Sequence, residues 1–172
     1  EVIDGKSERG GYPVIRKNMK QWVINQPAFA EELLEGLEEI DWPESTKLMQ
    51  KNWIGKSTGV EVKFQIVGGG VFSIFTTCIE TIYGITFMVL APDGKITASL
   101  LDRVENREEV EAYIAEAAKK SEIDRTDASK TKTGCPLKGV YAINPVNGRQ
   151  VPVFIGDFVL GNYGTGAVMA VP

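Results

Sequence analysis

The sequence predicts a mostly β fold with peripheral helices, an α+β chain that opens with a small α+β lobe. Three observations predict it. Val60, Val62, Phe64 and Ile66 alternate with polar residues, which is the period of a half-buried strand. Further strand signals crowd the rest of the chain, in Val71–Phe75, Thr86–Ala91, Gln150–Ile155 and Ala167–Val171. Helical spacing is confined to short stretches, two ahead of this density and one within it after Asn106.

Taken in order, residues 1–25 read as a hairpin. Glu1-Val-Ile and Pro13-Val-Ile-Arg flank a turn rich in glycine, serine and charge. Pro27 suits the first turn of a helix in which Phe29, Leu33, Leu37 and Ile40 recur at helical spacing. Asp41-Trp-Pro43 breaks that helix, and Pro43-Glu-Ser starts a second through Leu48 and Met49. The composition shifts near Trp53-Ile-Gly-Lys-Ser57, so residues 1–53 are expected as one lobe and 54–172 as the β core.

Within the core, Gly68-Gly-Gly70 turns the first strand back into Val71-Phe-Ser-Ile-Phe75. Thr86–Ala91 is an apolar run, read as a buried strand, and Pro92-Asp-Gly94 is a turn. Asn106 and Glu109 form a capping-box pattern ahead of a helix that aligns Val110, Ile114 and Ala117. Residues 119–134 read as a polar loop. Tyr141-Ala-Ile-Asn and Gln150–Ile155 form a hairpin around Asn147-Gly148, a type I′ turn signal. Phe158-Val-Leu160 and Ala167–Val171 supply two more strands.

Composition narrows the chemistry. The 172 residues are enough for one good core with a small appendage, at the 43% apolar and 24% charged content of an ordinary globular domain. No apolar run reaches the roughly 18 residues needed to span a bilayer. The net charge of −4 argues against a broad nucleic-acid surface but leaves room for a pocket that grips one nucleotide end. Cys78 and Cys135 are the only cysteines and have no CxxC spacing, so they read as two reduced thiols of a cytoplasmic protein. Ser7-Glu-Arg-Gly10 has no cysteine at its turn, and no metal is assigned. The chain has no histidine, which removes Ser-His-Asp and Cys-His triads. Glu1 and Val171-Pro172 read as cuts through a longer protein.

Two segments could carry chemistry. Phe75-Thr-Thr-Cys-Ile-Glu-Thr-Ile-Tyr-Gly84 offers the hydroxyls of Thr76, Thr77 and Thr81. Threonine is also a common strand residue, and residue types alone favour that plainer reading. A bend before Thr81 would let two hydroxyls line one pocket. The second segment, Tyr163-Gly-Thr-Gly166, allows close approach of a ligand to the backbone. It is not a phosphate loop, because no GKS/T follows and it leads into a strand. Asp157, Glu80 and Asp102 have no spacing that pairs them for two-carboxylate hydrolysis.

Several blocks carry a resemblance. Trp42-Pro-Glu-Ser-Thr-Lys-Leu-Met-Gln-Lys-Asn-Trp-Ile-Gly-Lys-Ser57 resembles the segment leading into the editing domain of bacterial-type leucyl-tRNA synthetase. Tyr141-Ala-Ile-Asn-Pro-Val-Asn-Gly148 and Tyr163-Gly-Thr-Gly-Ala-Val-Met-Ala-Val-Pro172 resemble two later blocks of that family, and Phe75–Gly84 falls where it has a threonine-rich peptide. The resemblance implies a compact editing-domain β-barrel, entered through residues 1–53 from a synthetase body and lacking its C-terminal part. It implies hydrolysis of tRNA(Leu) mischarged with norvaline, isoleucine or methionine. The partner it implies is the tRNA 3′ terminal adenosine carrying a non-cognate amino acid. No cofactor is implied for editing; ATP and Mg belong to the synthetic domain of the parent.

By the same resemblance, Thr76 and Thr77 match the threonines around the scissile ester, and Thr81 matches the threonine that blocks leucine. Leu160, Tyr163 and Met169 match positions near the terminal adenine and the amino-acid pocket. Water is the implied nucleophile. Three departures stand out. Cys78-Ile79-Glu80 replaces the family's usual Arg-Pro-Asp, which removes a guanidinium and the proline of the bend. Ala91-Pro-Asp-Gly-Lys95 differs from the usual sequence after the same strand. The family aspartate that grips the substrate ammonium falls beyond Pro172. Three readings stay open at this point: a hydrolytic editing domain, a module that only binds the tRNA end, and a structural insert with a decayed site.

Overall fold

A computed structural model describes residues 2–3, 5–14 and 19–172. The chain divides into two compact units, Glu1–Lys56 and Ser57–Pro172.

In the first unit, β1 (Val2–Ile3) pairs antiparallel with β2 (Lys6–Ser7), and Lys6 also bridges Pro13. The expected hairpin is therefore tighter than the sequence suggests, and the returning Ile15 and Arg16 lie outside the described residues. A 3₁₀ turn at Gln26–Phe29, with Pro27 in its first positions, runs into α1 (Ala30–Glu39). Then comes α2 (Glu44–Ile54), which closes at Gly55. Lys51 reaches from α2 to Glu38 of α1 at 2.5 Å, and Lys56 pairs with Glu31. The helices border an open hollow of ≈ 1240 Å³ lined by Phe29, Leu33, Leu37, Ile40, Trp42 and Trp53.

The second unit is one six-stranded sheet with helices around it. Its strands are β3 (Val60–Ile66), β4 (Val71–Thr76), β5 (Phe87–Leu90), β6 (Gly134–Ile143), β7 (Gln150–Gly156) and β8 (Ala167–Ala170). They lie in the order β4-β3-β6-β7-β5-β8. All neighbours are antiparallel except β5 and β7, which run parallel because three helices and β6 intervene in the chain. The end strands β4 and β8 come against each other, so the sheet curls into a barrel whose last seam carries no ladder pairing.

Alternation sets the faces. Phe64, Ile66, Phe72 and Ile74 point into the barrel, where Met88, Leu90, Val153 and Ile155 join them as buried residues. Burying a side chain of this size contributes roughly 1.5–3 kcal/mol. Phe64 and Phe72 stack with ring centroids 5.8 Å apart. The triple-glycine turn between β3 and β4 is held from outside by Arg103, whose guanidinium donates to the carbonyls of Gly69 (2.5 Å) and Val67.

The helices are α3 (Lys95–Leu100), α4 (Arg107–Lys119) and α5 (Glu122–Thr126). Val110 of α4 is wholly buried against the barrel. Asn106 does not cap α4 as its spacing predicts. Its Nδ2 donates to Glu109 at 2.8 Å and to the Pro136 carbonyl at 3.0 Å, and its Oδ1 accepts from the Lys138 N–H. It thus serves β6, where the register shifts between Pro136 and Tyr141. Gly139, at φ +82°, permits that irregularity, and a side chain there would run into Glu105.

Three further expectations are corrected. The capping box forms in residues 119–134, read from sequence as a loop: Ser121 Oγ accepts from the Asp124 N–H at 3.1 Å, and the Asp124 carboxylate accepts in return. The β6–β7 connection spans 144–149 after the last pair Ile143↔Gln150, longer than a two-residue type I′ turn. Phe158-Val-Leu160 is a bend and not a strand.

Candidate functional site

The threonine segment is a turn wired by its own hydroxyls. β4 ends at Thr76, whose Oγ1 accepts the Cys78 N–H at 3.1 Å. A 3₁₀ helix follows over Ile79–Gly84. The Cys78 carbonyl accepts twice from Thr81, from its N–H at 3.2 Å and from its hydroxyl at 2.7 Å. The Thr77 hydroxyl stands 3.7 Å from the Cys78 sulfur. The bend before Thr81 is therefore made without the family proline, because backbone and hydroxyls of residues 76–81 close it. The Cys78 side chain takes part only through that long contact, and it is exposed and free. The second thiol, Cys135, is buried, and burial pushes its pKa up.

Two tertiary ties fix the turn. Ile82 buries its side chain in the barrel. Its carbonyl accepts from Nδ2 of Asn144, at 2.8 Å. The exit of the turn meets the end of β8. Thr86 N–H donates to the Ala170 carbonyl at 3.0 Å, and Gly84 faces Val171 so closely that an added Cβ would stand 3.0 Å from it.

Met169 lies on β8 opposite Met88 of β5 and packs half-buried against the core. One strand thus joins the threonine turn to Met169. Leu160 and Tyr163 sit at the other end of β8, on the glycine-rich loop that leads into it. The Tyr163 N–H donates to the Leu160 carbonyl at 3.4 Å, and the Gly166 carbonyl accepts from Ala91 at 2.9 Å, just beyond β5. Tyr163 is 81% exposed. β8 rises about 10 Å from Ala167 to Ala170, at ~3.3 Å per residue, with the glycine-rich loop at its start and the exit of the threonine turn at its end. Met169 thus lies on β8 between the loop that bears Leu160 and Tyr163 and the exit of the threonine turn.

A polar network holds the loop bearing Leu160. Arg125, only 6% exposed, donates Nε to the Asp157 carbonyl at 2.5 Å and Nη2 to the Val159 carbonyl at 2.6 Å. Its fork grips Asp93 with two bonds of 3.1 Å. Asp93 also accepts from Gly161 N–H at 3.3 Å. Gly161 approaches so closely that an added Cβ would stand 3.1 Å from the Asp93 backbone. Burial works to raise the Asp93 pKa, yet Arg125 and two backbone N–H groups outweigh it, and the net shift is downward. Asp157 behaves alike: burial raises it, while Lys120 at 2.5 Å and the amide and hydroxyl of Thr133 lower it further. Arg125 and Asp93 had no signal at the sequence level, since their importance lies in burial and distant partners. Beside them lies a cavity of ≈ 370 Å³ lined by lysines and acids, including Lys120, Lys132 and Asp157. It includes none of the six sequence-predicted residues.

Residues 51–172 match the family model described as leucyl-tRNA synthetase, editing domain. The chain belongs to the leucyl-tRNA synthetase editing-domain family. A solved relative of this editing domain is the Agrobacterium radiobacter K84 agnB2 LeuRS, in a ternary complex with tRNA and LeuAMS. It is 35% identical and superposes with a TM-score of 0.74 over 99% of the chain. The chain spans 21% of that synthetase's length. Among the described residues of the editing domain, no helix is long and apolar enough to cross a membrane, and no group of three or more His, Cys, Asp or Glu side chains could hold a metal ion.

Proposed function

We propose that this chain is the proofreading module of a cytoplasmic leucyl-tRNA synthetase. It hydrolyses tRNA(Leu) carrying norvaline, isoleucine or methionine at its 3′ terminal adenosine and excludes leucyl-tRNA. The need is physical. One methylene more or less in an apolar pocket discriminates by only about 1–3 kcal/mol, so a ligase for leucine needs a second sieve.

The observation that carries the reading is the bond from the Thr81 hydroxyl to the Cys78 carbonyl, 2.7 Å. It fixes the rotamer of Thr81 and occupies its proton. The side chain then acts as a fixed volume at a bend, which is what a steric sieve requires. Thr76 differs. Its oxygen accepts from the Cys78 N–H, so its O–H proton can donate to a substrate oxygen. Among the described residues, the Thr77 hydroxyl has no partner nearer than the 3.7 Å sulfur contact.

In the reaction, water attacks the ester carbonyl carbon. A bond to the water oxygen forms, the bond to the ribose oxygen breaks, and that oxygen takes up the proton water gives up. The chain has no histidine, and a threonine hydroxyl is too weak a base to make hydroxide. Thr76 and Thr77 therefore serve by orienting water and carbonyl, together with the substrate's own hydroxyls. Leu160 and Tyr163 take the adenine end, Met169 borders the middle, and Thr81 tests the amino acid. A threonine turn at one end of β8 and the Leu160–Tyr163 loop at the other suit a ligand with two ends. We assign no cofactor to this step; ATP and Mg serve ligation in the parent.

Deacylation of norvalyl-, isoleucyl- and leucyl-tRNA, measured on the full-length synthetase that carries this chain, tests the reading. The first two should be hydrolysed and the third spared. Hydrolysis of all three alike, or tight binding with no turnover of any, would overturn it.

A further inference from the structure

We infer that Asn144 is a positioning residue for substrate discrimination: it holds the threonine turn, and with it Thr81, at a fixed place on the barrel. The inference rests on the proofreading role proposed above. Between the last β4 residue and Thr86, the hydrogen bonds of the turn are almost all internal. Among the described residues, the bond from Asn144 Nδ2 to the Ile82 carbonyl, 2.8 Å, is the only one that ties residues 77–85 to another part of the fold. It joins positions 62 apart in sequence.

The side chains of Ile82 and Ile85 are buried, but apolar contacts are non-directional. They permit a short 3₁₀ helix to rock about its anchors. A directional bond to the carbonyl next to Thr81 removes that freedom. Asn144 is suited to the task because it is itself immobile. It is 1% exposed, and its Oδ1 accepts from the Val146 N–H at 3.0 Å. Its backbone N–H donates to the Arg149 carbonyl at 2.8 Å, and its carbonyl accepts from Gly148 at 2.9 Å. The β6–β7 connection thus presents one carboxamide with two arms. One arm shapes its own loop and the other reaches the threonine turn. A sieve that separates side chains differing by one methyl needs its blocking atoms held within a fraction of an ångström, which is what this bond supplies.

The tether can be cut apart from the rest of its loop. Asn144→Ala removes both arms, Asn144→Asp keeps the acceptor arm and loses the donor to Ile82, and Asn147→Ala removes a different bond of the same loop, the one Asn147 Oδ1 accepts from the Arg149 N–H at 3.0 Å, and leaves the Asn144 carboxamide in place. Each is read in two ways: the ratio of leucyl- to norvalyl-tRNA hydrolysis in the full-length synthetase, and amide hydrogen exchange at Thr81. Both Asn144 variants should raise the ratio about tenfold and speed exchange at Thr81. Asn147→Ala should leave both unchanged. An unchanged ratio in the folded Asn144 variants, or an equal rise in Asn147→Ala, overturns the inference. Should Asn144→Asp fail to fold, Asn144→Ala against Asn147→Ala decides. If the unaltered protein hydrolyses no aminoacyl-tRNA, the proofreading role fails. Exchange at Thr81 then decides alone: faster in Asn144→Ala with Gly148 and Arg149 unchanged supports the tether, and no change overturns it.

Discussion

Arg125 grips Asp93 with both arms of its guanidinium, each at 3.1 Å, while its remaining donors reach the Asp157 and Val159 carbonyls. One buried side chain therefore fixes the turn after β5 and the loop that carries Leu160. Arg125→Lys should destabilise the domain by about 3 kcal/mol, because an ammonium cannot span four acceptors and leaves buried carbonyls unpaired. Asp93→Ala should cost less, about 1 kcal/mol, since the Asp93 side chain is half exposed at 52% and water replaces part of the loss. Urea unfolding of both variants and the double variant checks the order. Strong coupling within the cycle is expected.

Acid should loosen the same region first. Asp93 and Asp157 both titrate below the usual 3.8 in the folded chain. A carboxylate with a depressed folded pKa adds stability that is fully present above its unfolded value. That stability is lost as pH falls through the folded one. Asp124, held at about 2 by Lys130 and Ser121, has the same sign. Stability should therefore be flat above about pH 5 and fall below about pH 4. Asp157→Asn should flatten that decline, as measured by thermal melts across pH.

The bend needs no proline, yet it can accept one. Ile79 opens the 3₁₀ helix, and Cys78 before it sits at φ −124° and ψ 71°, outside the helical region that a following proline disfavours. Ile79→Pro should stabilise the chain by about 0.4–1 kcal/mol by restricting the unfolded state. Cys78→Ser should change stability by less than about 0.5 kcal/mol, because the turn relies on the Cys78 backbone. Denaturation midpoints decide both.

The strands β3 to β5 and β8 were legible because alternation and apolar runs report burial directly. The threonine block was legible as a candidate, and its hydroxyl wiring was not, since residue types do not reveal which carbonyl a hydroxyl meets. Phe158-Val-Leu160 misled for a specific reason. Its apolar run suits a strand, but the Arg125 guanidinium takes the carbonyls of Asp157 and Val159, and the Val159 N–H turns back to Gly156. α5 went unseen because its box, Ser121 with Asp124, sits in a stretch whose composition is that of a loop. Asn106 had the right spacing for a cap but serves β6, a long-range competitor that spacing cannot disclose.

The account stands most directly on Thr81 as a fixed volume, and a three-variant series measured in the full-length synthetase tests it. Thr81→Ala removes the volume and the bond to Cys78, Thr81→Ser keeps the bond and loses the methyl, and Thr81→Val keeps the volume and loses the bond. Rates of leucyl- and norvalyl-tRNA deacylation are compared for each. Thr81→Ala should raise leucyl-tRNA hydrolysis roughly 10- to 200-fold with norvalyl-tRNA little changed, Thr81→Ser should follow it in part, and Thr81→Val should still spare leucine. Equal loss of both activities in all three variants, or no change in any, would contradict the account.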